Sequence, residues 1–207
     1  ITFNYQSLNE WFLQDPRKHK YLDELYGSNV WRRALQIADP DQKERYLMNA
    51  YQKALENLGW KGRSFRMMNK QNQTQYYLFF ATSHWRGMLA MKQAMWGAAP
   101  TGDFQYFDLI DPQQQHLFDK ELYDEEYSKD LAEQIYQSHG GQSIPKQTLE
   151  RNDLAWHPIC IDRHLTRALR MLEYEAEPPK ISGVERLGGK KRLRGTYPDD
   201  CIVTFAP

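Results

Sequence analysis

Acidic and basic residues are segregated along this chain, and the segregation divides it. From Asp103 to Glu133 there are ten acidic residues and two lysines; from Lys180 to Tyr197 there are six basic residues and one glutamate, Glu185. The two fields cancel, since 27 Lys plus Arg stand against 27 Asp plus Glu. A zero total excludes a chain that is basic throughout and binds nucleic acid by bulk charge, and it leaves room for a local basic patch. With 41% apolar and 26% charged residues, the 207-residue chain has the composition of a folded globule of one domain or two small ones. The stretch Asp111-Pro112-Gln113-Gln114-Gln115 is rich in turn residues and lacks periodicity, so the boundary is drawn near Leu117. This gives a first part, 1–116, and a second part, 117–207.

Several classes drop out. No apolar run approaches the roughly 20 residues that cross a bilayer, and no signal peptide opens the chain. Cys160 and Cys201 are too few for a disulfide scaffold or a structural zinc site. We expect them as reduced, partly buried thiols in a cytoplasmic protein. There is no Gly-rich phosphate loop, no His-Glu-x-x-His helix and no Gly-x-Ser-x-Gly elbow. Ile1 to Tyr5 reads as a strand already in progress, which suggests the later part of a longer chain.

In the first part, Gln6 to Leu13 predicts a helix that stops at Asp15-Pro16, and Arg17 to Tyr26 a second that stops at Gly27. Asp39-Pro40-Asp41-Gln42 is a strong start signal, with a cap, a proline for the first helical position and Gln42 for a capping box. That helix continues to Gly59. Ser64 to Met68 and Tyr76 to Ala81 read as two strands around the polar turn Asn69 to Thr74, the second strand buried on both sides. His84 to Trp96 reads as a helix, with Met88, Met91 and Met95 as core packed against the sheet and a soft binding face as the alternative. Strand, helical crossover and terminal hairpin suit the last third of a mostly parallel α/β sheet.

The second part predicts three helices and a hairpin: Asp124 to Tyr136, Lys146 to Trp156, Asp162 to Glu175, then Lys180-Ile181-Ser182 pairing with Cys201 to Phe205 around the loop Glu185 to Asp200. Three helices followed by a long basic hairpin predict a winged helix-turn-helix.

Two segments carry a family resemblance. Tyr77-Leu78-Phe79-Phe80-Ala81-Thr82-Ser83-His84, then Gly87, Met91-Lys92 and Ala94-Met95-Trp96, resembles the three-Cys-motif partner proteins. Their pattern is a hydrophobic strand, a short Asn/His turn, a glycine, Met-Lys and Ala-Met-Trp. Ile1 to Phe12 resembles the family's strand running into a helix, although the usual Asp-Ser-Ile-Asn-Arg-Phe stretch is here Gln6 to Phe12, without its acidic residue or its arginine. Ala168-Leu169-Arg170 and the basic wing resemble the family's terminal winged-helix domain. The resemblance implies a Rossmann-type, S-adenosylmethionine methyltransferase-like fold of which this chain is the C-terminal portion. It also implies a partner whose three-cysteine motif looks like that of a radical S-adenosylmethionine enzyme, in mobile or phage-linked neighbourhoods. The family's glycine loop and its Asp-Pro-Phe-Gly segment have no counterpart in this chain, so the resemblance implies no cofactor site here and S-adenosylmethionine in the intact protein.

The strongest functional signal is the third helix with the loop. Leu165, Ala168, Leu169 and Leu172 take its inner side, so Arg163, Thr166, Arg167 and Arg170 point outward as on a recognition helix. Arg186, Lys190, Lys191, Arg192 and Arg194 on the hairpin suit a phosphate backbone, with Gly188, Gly189 and Gly195 allowing close approach. The bland alternative is a solvated hairpin on a domain used for protein contacts. The acidic run Asp119 to Glu126 reads as a solvated connector, with phosphate mimicry as the sharper alternative. Asn4 and Tyr5, at the end of a strand, and His84 with Arg86, at a strand-to-helix turn, are candidate ligand-site residues; a cap or a turn is the structural alternative. No catalytic or metal-ligating set emerges. The expected function is DNA association alongside a three-Cys-motif protein. Methyl transfer in the intact protein and a non-enzymatic scaffold are the alternatives, and a homo-oligomer is a candidate partner.

Overall fold

The structure, a computed structural model, describes residues 1–69, 71, 73–99, 105–107 and 117–207, with the backbone alone at 105–107 and 117–121. The chain divides into two compact units. One holds Ile1–Ser83 and the short strand Gln105–Phe107; the other begins at His84 and takes in the helix that follows and 117–207.

The first unit opens with β1 (Thr2–Phe3), which turns at once into α1 (Tyr5–Ser7) and a wider turn over Leu8–Phe12. The strand expected over Ile1 to Tyr5 is shorter because Asn4 caps the helix, its Oδ1 accepting from the Ser7 N–H at 2.9 Å. α2 (His19–Tyr26) ends on Gly27, whose φ of 63° lies in the left-handed region glycine takes without strain. α3 (Pro40–Asn57) starts as its sequence predicts: Asp39 Oδ1 accepts from Gln42 N–H at 2.7 Å, and Pro40 fills the first turn.

Next come β2 (Lys61–Met68) and β3 (Thr74–Thr82), an antiparallel hairpin in which Phe65 faces Leu78. The sheet order is β1-β3-β2-β4, where β4 is Gln105–Phe107. β1 and β2 are each antiparallel to β3, and β4 is parallel to β2. Three strands therefore share one direction and β3 alone is reversed between two of them. β3 is not buried on both sides: Tyr77 and Phe79 are buried and their neighbours half-exposed, because the helices of this unit gather against one face. That core is aromatic. Tyr51 stands edge-on to Phe79 at 4.9 Å, and Phe3 lies 5.1 Å from Tyr51.

The second unit begins with α4 (Trp85–Ala98), which the sequence assigned to the first part. Leu89 enters the core of the second unit, and Lys92 is fully buried there. Lys92 Nζ donates to the carbonyls of Leu154 at 2.6 Å, His157 at 3.0 Å and Cys160 at 2.6 Å. A buried ammonium needs such a set of acceptors, and this turn supplies three. Trp96 Nε1 adds a bond to Ile159 O at 2.8 Å. The Asp111 to Gln115 stretch, read as the linker, lies outside the described residues.

α5 (Leu117–His139) is followed by β5 (Ser143–Pro145), α6 (Lys146–Leu149) with a wider turn over Glu150–Leu154, α7 (Asp162–Arg170) with a wider turn over Met171–Glu175, β6 (Ile181–Arg186) and β7 (Cys201–Phe205). The sheet is antiparallel in order β5-β7-β6, with Val203 between Ile144 and Val184. β5 has three residues and ends in proline, too short to show periodicity in the sequence. Leu131 and Ile135 of α5, Leu149, Leu165, Leu169, Ile181, Val203 and Phe205 close one core. Both cysteines are free and buried, and burial pushes the Cys160 thiol up to about 12.

Candidate nucleic-acid interface

α7 divides as its pattern predicts. Leu165, Ala168 and Leu169 are buried, joined by His164, while Arg163 and Arg170 are exposed and Thr166 and Arg167 half-exposed. The arginines, however, are largely used inside the unit. Arg163 Nη2 donates to Asp124 Oδ1 at 2.9 Å, and its guanidinium lies 4.4 Å over the Trp96 ring. Arg167 Nη2 donates to Glu125 Oε2 at 2.9 Å. Asp124 and Glu125 belong to the acidic run read as a solvated connector; in the fold they meet the arginines of α7. Arg170 Nε donates to Gly195 O at 2.7 Å, reaching from α7 into the loop.

The loop between β6 and β7 is braced by its own arginines. Arg186 makes a two-pronged pair with Asp200, 2.9 Å at each contact, and Nη1 reaches Lys191 O at 3.3 Å. Arg192 is half-buried: it pairs with Glu173, donates from Nη1 to Thr196 O at 3.1 Å and lies 5.3 Å from the Tyr197 ring. Tyr197 OH donates to the other Glu173 oxygen at 2.5 Å. Burial pushes the Glu173 carboxyl up, but hydrogen bonds from Tyr197, Arg192 and Tyr174 outweigh it and hold the group below its ordinary range. Gly195 has φ 70°, and a Cβ there would sit 3.4 Å from Arg170 Nε.

What remains outward is a smaller set. Lys190 is exposed, 3.9 Å from Asp200; Lys191 is exposed, its ammonium without a side-chain partner among the described residues; Arg194 is exposed with its guanidinium 4.8 Å over Tyr174. Leu187 and Leu193 flank them, 60% and 79% exposed.

The sequence reading missed the residues that fasten α5 to the rest of the unit. His164 Nδ1 accepts from the Ile161 N–H at 2.9 Å, so its proton resides on Nε2, which donates to Asp124 Oδ1 at 2.9 Å. His157 Nε2 meets Asp130 at 3.3 Å, and His139 Nε2 meets Asp153 at 3.0 Å. Burial lowers the His164 pKa, with Asp124 opposing. Each pair joins residues 14 to 40 positions apart, a separation no local pattern reveals.

The remaining candidates fall in two units. Asn4 is a helix cap, and Tyr5 lines a polar cleft in the first unit. His84 and Arg86 lie in the second: His84 Nδ1 accepts from the Arg86 N–H at 3.3 Å as the cap of α4, and the Arg86 guanidinium lies 5.0 Å over Trp85. The two candidate pairs, Asn4 with Tyr5 and His84 with Arg86, therefore lie in different surroundings.

Among the described residues, no cluster of three or more His, Cys, Asp or Glu could hold a metal ion, and no helix is long and apolar enough to cross a membrane. Comparison of the chain with protein-family models, with curated proteins and with solved structures finds no match in any of the three.

Proposed function

We propose that the second unit is a winged helix-turn-helix module that binds duplex DNA through the outer face of α7 and the β6–β7 loop. On the resemblance in its sequence, the chain does so beside a three-Cys-motif partner. The observation that carries the reading is the loop tip. Lys190, Lys191 and Arg194 are exposed there, while Arg170, Arg186 and Arg192 hold the loop from within. The element order helix, strand, helix, helix, strand, strand supports it, as does the amphipathic α7. Contact with about three phosphates gives a salt slope of about −2.7, a modest affinity directed at the backbone rather than at bases. Fluorescence anisotropy with labelled duplex across a salt series tests this. Combining Lys190→Ala, Lys191→Ala and Arg194→Ala should abolish the salt-dependent binding, and unchanged affinity at matched ionic strength would sink the assignment.

A protein-docking role is the second reading, favoured by the exposed Leu187 and Leu193. No DNA binding at any salt, together with a partner that is lost on Leu193→Ser, would favour it.

A further inference from the structure

The β6–β7 loop carries two leucines turned out to water. From Arg186 to Arg194 the chain reads Arg-Leu-Gly-Gly-Lys-Lys-Arg-Leu-Arg, so Leu187 and Leu193 are its only large apolar side chains. They are 60% and 79% exposed. A lone exposed leucine is ordinary on a protein surface, but these two share one short cationic loop.

The loop holds them there. The Leu187 N–H donates to Asp200 O at 2.9 Å, and Leu193 O accepts from the Thr196 N–H at 3.1 Å and from Thr196 Oγ1 at 2.7 Å. The Gly195 N–H donates to Tyr174 OH at 3.2 Å. Arg192 turns inward to Glu173, and its neighbours Lys191 and Leu193 are exposed on either side of it. A loose loop would be free to fold its leucines against the unit. This backbone is tied on both sides of Leu193, so little ordering is left to lose when the side chain meets a partner.

The charge around the leucines indicates what they meet. Lys190, Lys191 and Arg194 are exposed at the tip. The carboxylates that close the loop are committed, Asp200 to the two-pronged contact with Arg186 and Asp199 to Lys146 at 2.7 Å. Glu185, on β6, does not offset three cations. The complement of this tip is an anionic surface with an apolar slot. Duplex DNA is such a surface: phosphates line both edges of the minor groove, and a base step that unstacks opens an apolar gap between them.

We propose that Leu193, with Leu187 on the same loop, is a wedge that enters the minor groove at a flexible pyrimidine–purine step while the lysines hold the flanking phosphates. The loop then selects duplex that bends easily, with no hydrogen bonds to base edges. This rests on the reading of the second unit as a duplex-binding module and adds a preference to it. TpA steps unstack at least cost, whereas runs of A·T without that step are stiff.

The test sets two duplexes of equal length, charge and base composition against each other, one centred on TTAA and one on AATT, with end labels for energy transfer. The chain should bind the TTAA duplex about tenfold tighter and shorten its end-to-end distance. Leu193→Ala, at an exposed position, should weaken TTAA binding about tenfold, abolish the bend and leave the salt slope unchanged. Leu193→Met should keep the preference, and Lys191→Ala should weaken both duplexes alike. Equal affinity for the two duplexes, or a preference that survives Leu187→Ala combined with Leu193→Ala, would overturn the wedge and leave DNA binding standing. No binding to either duplex would overturn the DNA reading and the wedge with it. Phosphatidylserine vesicles bound by the parent and released by Leu193→Ala, without a TTAA preference, would overturn the wedge by assigning the leucines to a lipid surface.

Discussion

His164 and Asp124 are joined across α7 and α5, the buried ring giving its Nε2 proton to Asp124 Oδ1 at 2.9 Å while the same oxygen accepts from Arg163 Nη2 at 2.9 Å. One carboxylate thus fixes a core histidine, a surface arginine and the approach of two helices. Burial lowers the His164 pKa below its ordinary value, so the folded chain holds a neutral ring where the unfolded chain, titrating near 6.5, takes up a proton. The unfolded state binds more protons as pH falls through that value, and stability falls with it, by at most about 1.4 kcal/mol per pH unit for this group. Urea midpoints between pH 7.5 and 5.5 should fall in the parent chain. In His164→Asn they should start lower and fall less; an equal slope would remove His164 as the source.

Lys92 is the second stability test. Its ammonium donates to three backbone carbonyls in a site with no exposure, so Lys92→Met takes a buried donor from all three, Leu154 O keeping the His157 N–H at 3.2 Å. A loss of about 3 kcal/mol or more is expected on chemical denaturation, with α4 and the 154–160 turn losing amide protection together. A loss below 1 kcal/mol would mean that water replaces the ammonium there.

The loop arginines and the loop lysines should separate in their effects. Arg192→Leu leaves the Glu173 carboxylate with the Tyr197 hydroxyl but without its cation and should cost about 2 kcal/mol or more. Lys191→Ala, with nothing to lose inside the unit, should stay within about 0.5 kcal/mol and show its effect in DNA affinity alone. Similar melting shifts for the two would contradict the division between braces and contacts.

Glu125 now covers part of the proposed DNA face. Glu125→Gln frees Arg167 and removes a charge that repels phosphate. Affinity for duplex should rise about three- to tenfold at low salt, and the salt slope should steepen by about 1. Anisotropy titrations of the two proteins at several salt concentrations read both quantities.

Much of the local architecture was legible in the sequence. The Asp39-Pro40 start, the Gly27 stop, the periodic face of Leu165, Ala168, Leu169 and Leu172, and the β6–β7 hairpin all follow from capping, φ preference and apolar spacing. Each involves residues within a few positions, or a strand pair marked by its own apolar run. The sequence by itself also set where the acidic and basic residues fall along the chain. It did not determine which charges remain available. Pairing of Arg163 with Asp124 and of Arg192 with Glu173 spans 39 and 19 positions, and whether a cation faces solvent or a carboxylate depends on which helices pack together. The tertiary structure likewise decided the unit to which α4 belongs. An amphipathic helix between two sheets can pack either way by its periodicity, and what settled it was Lys92, a charge that folds only where three carbonyls converge to receive it.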